Sequence, residues 1–132
     1  MGIVIGLVGC GRWGTNHLRV MKRLQNEGLV QRVVVCDVDG ERLANIQADA
    51  TYANLESMLS AEALAAVAIA TPPETHLGLA KMVLDRNLPL LLEKPLSNNH
   101  AASKTFLAEL PNDSILVVGY LLRHHEGLLQ TQ

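Results

Sequence analysis

Apolar residues along the chain fall into short unbroken runs, and longer amphipathic stretches separate these runs. The runs cover residues 3–8, 32–37, 66–70, 89–92 and 115–119. Runs without polar alternation predict strands that are buried on both faces. The stretches between them predict helices near residues 14–26, 40–48, 55–60, 74–86 and 99–109, and Tyr52 could lie in one more short strand. This alternation predicts a single α/β domain, a doubly wound and mainly parallel sheet with helices on both faces.

Polar residues that favour helix ends stand at the expected element boundaries. Asp39 precedes the second predicted helix, and Asn54 is a suitable N-cap for the third. Asn87 can end the fourth helix in the left-handed conformation. Ser97 or Asn98 can cap the fifth. These signals support the same order of elements.

A glycine-rich turn joins the first predicted strand to the first helix. Gly9, Gly11 and Gly14 form a G-x-G-x-x-G pattern, with Arg12 and Trp13 at its tip. Such glycines allow a tight turn, a close approach of backbone to a pyrophosphate, and close packing of helix on strand. The helix N-terminus then offers free N–H groups to phosphates. The turn therefore predicts a dinucleotide-binding Rossmann fold.

An acidic residue, Asp37, ends the second predicted strand. Its spacing from the glycines suits a carboxylate that binds the ribose hydroxyls of the adenosine half. A carboxylate accepts hydrogen bonds from a 2′-hydroxyl and repels a 2′-phosphate, so NAD is predicted over NADP. Arg42 could in principle meet a phosphate, but its helical position favours solvent.

Composition narrows the classes of partner. The chain has 132 residues, a formal net charge of −2 and a pI near 6.2. It has no basic stripe, which argues against binding to nucleic acid or to an anionic membrane. Its apolar runs are too short to span a bilayer. The first strand begins at once, which predicts no signal peptide and a cytoplasmic protein.

The cysteines and histidines give weaker signals. Cys10 and Cys36 end neighbouring predicted strands, so a disulfide is conceivable, although two buried thiols are favoured. The helix N-terminus could lower the pKa of Cys10. His76 is expected to hydrogen-bond the loop before it, and His17 to lie on a helix face. No metal site is predicted.

Three further motifs follow later strands. They are Ala70-Thr71-Pro72-Pro73-Glu74-Thr75-His76, Leu92-Glu93-Lys94-Pro95-Leu96 and Val118-Gly119-Tyr120-Leu121-Leu122-Arg123. Together with the glycine turn, they resemble the nucleotide-binding half of the Gfo/Idh/MocA oxidoreductases. Trp13, Gly14 and Asn16 look most like the branch that oxidises nucleotide-linked sugars.

The resemblance implies roles for particular residues. Thr71 and Pro72 would lie along the nicotinamide side of NAD, and Glu93 near the nicotinamide ribose. Lys94 would be the catalytic lysine that contacts substrate and assists proton movement, while Arg123 would lie near the active site. Members of this family carry a second domain that supplies further substrate contacts.

This comparison predicts a dinucleotide-binding domain over residues 1–120, followed at 121–132 by the start of a connection to a missing substrate domain. The expected activity is hydride transfer between a sugar hydroxyl, free or nucleotide-linked, and NAD. The domain alone is expected to be incomplete, and a homo-oligomer is allowed. Two alternatives remain: an NAD(H)-sensing regulatory domain, and a scaffold with a vestigial site.

Overall fold

The computed structural model describes residues 2–93, 97, 99–110 and 113–118, except for the side chain of Trp13. Six strands of the described residues form one sheet: β1 (Val4–Val8), β2 (Arg32–Cys36), β3 (Ala50–Tyr52), β4 (Ala66–Ile69), β5 (Leu90–Leu92) and β6 (Leu116–Val118). All neighbouring strands are parallel, in the order β3-β2-β1-β4-β5-β6. The predicted parallel sheet is confirmed, and Tyr52 does belong to a short strand.

In the part of the chain that the structure describes, five helices connect the strands: α1 (Arg12–Asn26), α2 (Gly40–Ala44), α3 (Leu55–Ala61), α4 (His76–Leu84) and α5 (His100–Ala108). A short 3₁₀ turn, Pro73–Thr75, leads into α4. Chain order runs outward from β1 to β3 on one side and restarts at β4 on the other. A crevice forms outside the carboxyl ends of β1 and β4, where the strand order reverses.

Each face of the sheet carries its own hydrophobic core. Val34 and Cys36 of β2 face a core built with α3 and α4, in which Met58 is completely buried. Val33 and Val35 face the other core, which includes Leu18 and Met21 of α1. Alternate residues of one strand thus serve opposite layers, as expected for a sheet covered on both faces. This arrangement confirms the predicted doubly wound α/β fold.

Several predicted boundaries need correction. The second helix ends at Ala44 instead of continuing to residue 48. Residues 73–75 form a 3₁₀ turn, not the first turn of an α-helix. The cap of α5 is Asn99, whose side chain accepts from the Ala102 amide, while Ser97 hydrogen-bonds Asn99.

Two other boundary predictions are confirmed. Asn54 accepts from the Ser57 amide at the start of α3, and Asn87 has a φ of 60°. The predicted connection at 121–132 lies outside the described residues. Within the described part of the chain, no helix combines the length and apolar character needed to cross a membrane.

Candidate cofactor site

A cavity of about 640 Å³ opens at the carboxyl ends of the central strands, where the strand order reverses. Seven of the residues predicted to bind a cofactor line it: Gly9, Gly11, Arg12, Asp37, Thr71, Pro72 and Glu93. The fold therefore brings together residues from four separate segments of the sequence. Other lining residues, which the sequence did not single out for cofactor binding, are Val8, Cys36, Val38, Arg42, Asn54, Leu55, Ala70, Pro73, Thr75, His76 and Leu79.

The glycine turn is packed too closely to accept side chains at two of its positions. Gly9 has a φ of +92°, and a Cβ there would lie 2.8 Å from the Ala70 carbonyl oxygen. A Cβ on Gly14 would lie 2.0 Å from the Gly9 carbonyl oxygen. The Gly9 amide also donates to the Cys36 carbonyl at 2.8 Å, which fixes the turn against β2. Gly14 thus serves the close approach of α1 to the turn.

The N-terminus of α1 has no capping side chain. The helix begins after Gly11, which has extended backbone geometry, and no acidic residue occupies its first turn. In contrast, α2, α3 and α5 begin with the capping side chains of Asp39, Asn54 and Asn99. The first N–H groups of an α-helix lack intrahelical partners. The start of α1 is therefore suited to bind an anion.

Asp37 is a buried carboxylate that organises the loops around it. Oδ2 accepts from the Cys10 amide at 2.8 Å and from the Cys10 thiol at 3.3 Å, and Oδ1 accepts from the Asp39 amide at 2.8 Å. Burial acts to raise the pKa of Asp37. The hydrogen bonds from Cys10 and Asp39, together with the charge of Arg42, outweigh that effect and hold the pKa below its usual range. The carboxylate remains ionised at neutral pH and lines the cavity.

The pKa values of both thiols are raised, contrary to the expectation for Cys10 from the sequence. Burial, the hydrogen bond to Asp37 and its charge raise the pKa of Cys10 to about 12. Burial, followed by the charges of Asp37 and Cys10, raises the pKa of Cys36 to about 12 as well. The expectation that the helix N-terminus would lower the pKa of Cys10 was wrong, because the thiol is buried and Asp37 lies against it. Both residues are buried and protonated at neutral pH.

Arg42 turns toward the site instead of facing only solvent. Its Nη1 lies 3.7 Å from Asp37 Oδ2, and its Nε lies 3.7 Å from Asp39 Oδ2. A Cβ on Gly11 would come within 3.3 Å of Arg42 Nη1. Sequence reasoning favoured solvent for Arg42, because it lies on a separate helix and its return over the glycine turn depends on tertiary packing.

The loop after β4 is held in place by hydroxyl and imidazole groups. The Thr75 hydroxyl bonds the Pro72 carbonyl at 2.7 Å, and the hydroxyls of Thr71 and Thr75 lie 2.6 Å apart. His76 is 1% exposed, and its Nε2 lies 2.8 Å from the Thr71 carbonyl oxygen. The prediction that His76 hydrogen-bonds the adjacent loop is confirmed. These contacts position Thr71 and Pro72 at the wall of the cavity.

Glu93 follows β5 and carries a polar contact that the sequence did not reveal. Its carboxylate oxygen Oε1 hydrogen-bonds His17 Nε2. Both residues are buried, with exposures of 7% for Glu93 and 2% for His17. The prediction that His17 is simply a helix-face residue was incomplete, because that face meets the end of β5.

Three of the predicted site side chains fall outside the described part of the structure. Lys94, the predicted catalytic residue, and Arg123 lie outside the described residues, and only the backbone of Trp13 is described. Among the residues that the structure does describe, no group of three or more His, Cys, Asp or Glu side chains could hold a metal ion.

The cavity fits a dinucleotide by several independent features. The close-packed turn forms a cradle that Cβ atoms would fill, and the uncapped start of α1 offers N–H donors. Asp37 offers ionised acceptor oxygens, and Glu93 Oε2 is a buried acceptor without a partner in the described structure. Fold and site together define a dinucleotide-binding domain of the Rossmann type.

Comparison with known proteins gives the family. The family model for the oxidoreductase family with an NAD-binding Rossmann fold, the Gfo/Idh/MocA family, matches residues 3–120. The chain belongs to this family, whose model describes an NAD-binding domain. The predicted resemblance is thereby confirmed.

Relatives share the domain but are longer. Inositol 2-dehydrogenase 4 of Saccharopolyspora erythraea is 33% identical over 126 residues, covering 90% of this chain and 36% of the relative. D-apiose dehydrogenase of Paraburkholderia graminis is 32% identical over 106 residues, covering 77% of this chain and 28% of the relative. This chain therefore spans about a third of the length of such curated relatives.

A solved structure shows the same domain. The WlbA dehydrogenase from Bordetella pertussis, in complex with NADH and UDP-GlcNAcA, superposes with a TM-score of 0.76 at 27% identity. The match covers 89% of this chain and 34% of that one.

Proposed function

We propose that this domain binds NAD(H) in the cavity described above, as part of an oxidoreductase that acts on the CH–OH group of a sugar or related polyol. Bound NAD supplies the hydride acceptor for oxidation of the hydroxyl-bearing carbon. The single observation that carries the proposal is the contact of Asp37 with Cys10. This contact holds the carboxylate that we assign to the ribose beside the turn that we assign to the phosphates.

The described residues divide the binding between them. The turn at Gly9 and Gly11 and the start of α1 would hold the pyrophosphate, with Arg12 beside them. Asp37 would accept hydrogen bonds from the adenosine ribose hydroxyls. Thr71 and Pro72 would lie along the nicotinamide side, held there by the contacts of Thr75 and His76.

The chemical step would fall to Lys94. A lysine beside the reacting hydroxyl can take up or return its proton and stabilise developing negative charge on oxygen. This role rests on the family motif Glu93-Lys94-Pro95. Trp13 at the tip of the glycine turn and Arg123 beyond β6 are assigned to the site on the same basis.

The substrate class comes from the relatives, whose printed activities concern inositol and D-apiose. A free or nucleotide-linked sugar would be held mainly by a second domain, with residues 1–120 as the nucleotide-binding domain and 121–132 as the connection. Without that domain the reaction would not be completed. A cytoplasmic location and a homo-oligomeric assembly belong to the same proposal.

Calorimetric titration of the chain with NAD⁺, NADH and NADPH tests the cofactor assignment. We expect NAD(H) to bind more tightly than NADPH by at least about tenfold, because Asp37 repels a 2′-phosphate. Absence of binding to all three would overturn the proposal for this chain. Tight NAD(H) binding without any sugar oxidation by a protein that also contains the second domain would favour the sensing alternative.

A further inference from the structure

The buried pair formed by His17 and Glu93 joins two parts of the site that are far apart in sequence. His17 lies in the second turn of α1, and Glu93 follows directly after β5, 76 positions later. Glu93 lines the cavity, whereas His17 is not among its described lining residues. His17 therefore contacts Glu93 without itself lining the cavity.

The two oxygens of the Glu93 carboxylate are not equivalent. Oε1 accepts from His17 Nε2, while Oε2 is buried and has no partner in the described structure. A carboxylate only accepts hydrogen bonds, so Nε2 carries the ring proton in this contact. Buried polar atoms in folded proteins are almost always paired, and both Glu93 Oε2 and His17 Nδ1 lack a partner in the described structure. Only Oε2 belongs to a residue that lines the cavity, so Oε2 is the atom that points to a donor on a ligand.

Hydrogen bonds hold both the backbone and the side chain of Glu93. The Glu93 amide donates to the Ile69 carbonyl at 3.1 Å, extending the pairing of β5 with β4. With its backbone held by the sheet and Oε1 held by α1, the carboxylate has little freedom to turn. Such preorganisation lowers the entropy lost when a ligand binds.

We propose that His17 is a positioning residue for the cofactor site: it holds Glu93 so that Oε2 accepts a hydrogen bond from a hydroxyl of the nicotinamide-side ribose. The inference rests on the proposed function and adds a residue to it. Because α1 carries His17 and also presents its N-terminus to the pyrophosphate, one rigid helix sets both contacts.

The test compares three ligands that share parts of NADH. ADP carries the adenosine and both phosphates, ADP-ribose adds the second ribose, and NADH adds the nicotinamide. The wild-type chain should bind all three, which tests the proposed function independently of His17. Replacement His17→Leu should weaken NADH and ADP-ribose by about tenfold and leave ADP within about twofold.

A conservative variant distinguishes a positioning role of His17 from a role in folding stability alone. Replacement His17→Gln keeps an N–H donor near the place of Nε2 and should retain NADH affinity within about threefold. Equal losses for ADP and NADH in the folded His17→Leu variant would overturn the proposal, as would unchanged NADH affinity.

If the His17→Leu variant does not fold, the same replacement can be tested in a protein that already carries Glu93→Leu. The variant Glu93→Leu removes the carboxylate, and the double variant His17→Leu/Glu93→Leu places two apolar side chains together. Adding His17→Leu to Glu93→Leu should change NADH affinity by less than about twofold, because His17 acts only through Glu93. A further loss of about tenfold would show a role independent of Glu93 and overturn the proposal.

Discussion

The backbone amide of Cys10 donates a hydrogen bond of 2.8 Å to the carboxylate of Asp37. One residue of the glycine turn is thus tied to the end of the neighbouring strand β2. Asp37 keeps its charge because these donors outweigh the cost of burial. Its free acceptor capacity remains available to a ligand in the cavity.

Replacement Asp37→Ala should weaken NAD(H) binding by about 1.5–3 kcal/mol, the usual value of hydrogen bonds to a charged group. Removal of the negative charge should also narrow the preference for NADH over NADPH, since Arg42 stays nearby. Calorimetry with both cofactors measures the two effects. Asp85→Ala is the matched control, because it removes an exposed carboxylate whose partner, Lys81, does not line the cavity. Unchanged NADH affinity in Asp37→Ala would contradict the ribose assignment.

Replacement Gly14→Ala should destabilise the domain and reduce NADH affinity more than tenfold. The added Cβ would lie 2.0 Å from the Gly9 carbonyl oxygen, so α1 or the turn must move. Overpacking of this kind costs about 1–3 kcal/mol or more. Urea unfolding and NADH titration provide the two measurements.

The control for that variant is Gly78→Ala in α4, where a Cβ would meet no heavy atom within 4 Å. It should raise the free energy of unfolding by about 0.5–1 kcal/mol, because alanine favours the helix. A Gly14→Ala protein as stable as wild type would show that α1 does not need its close approach to the turn.

Replacement Lys94→Ala should leave NADH affinity within about twofold of wild type, because the proposed partner of this lysine is the substrate. The matched control is Lys81→Ala, which removes an exposed lysine paired with Asp85 on α4. Calorimetry of both variants is the measurement. A tenfold or greater loss in Lys94→Ala alone would reassign Lys94 from catalysis to cofactor binding.

The free energy of unfolding should fall in acid, and protonation of Glu62 is one cause of this loss. Its hydrogen bonds from Arg32, and also from Tyr52, outweigh burial and hold the pKa of Glu62 below its ordinary value of 4.5. A carboxyl with a lowered folded-state pKa stabilises the protein above its unfolded pKa, and this contribution is lost as pH falls through the folded-state value. Asp49, which accepts from the Val33 amide, acts in the same direction.

Urea midpoints measured from pH 7 down to pH 3 should therefore decline below about pH 4.5. Glu62→Gln should lower the midpoint at pH 7 and flatten this decline, whereas Glu56→Gln, at an exposed carboxyl, should change neither much. A midpoint that stays constant down to pH 3 would contradict the assignment of these carboxylates.

Local patterns predicted the strands, the glycine turn and the position of Asp37 at the end of β2. Each of these features depends on residues that are close together in sequence. The run before Gly9 is apolar without alternation, and a strand buried on both faces requires that. The cap of α5 was misplaced by one or two positions. Ser97, Asn98 and Asn99 are all good capping residues, and only the path of the chain selects Asn99.

Contacts between distant segments could not be predicted in the same way. His17 reads as one more polar residue on α1 until the strand order places Glu93 beside it. The position of Arg42 was also not predicted. Helix periodicity alone favours solvent for this residue, and only the packing of α2 brings it over Gly11. Such contacts depend on the path of the chain in the tertiary structure, and local sequence patterns do not specify that path.

The two-sided burial of β2 leaves the register of this strand weakly specified by hydrophobicity. Val33 and Val35 face one core and Val34 and Cys36 the other, so a slip by one residue would still bury apolar groups on both faces. The same slip would pull Asp37 away from the Cys10 amide. The carboxylate that lines the cavity therefore also marks the correct alignment of β2 beside β1, because misaligned pairing would leave a buried charge without its donors.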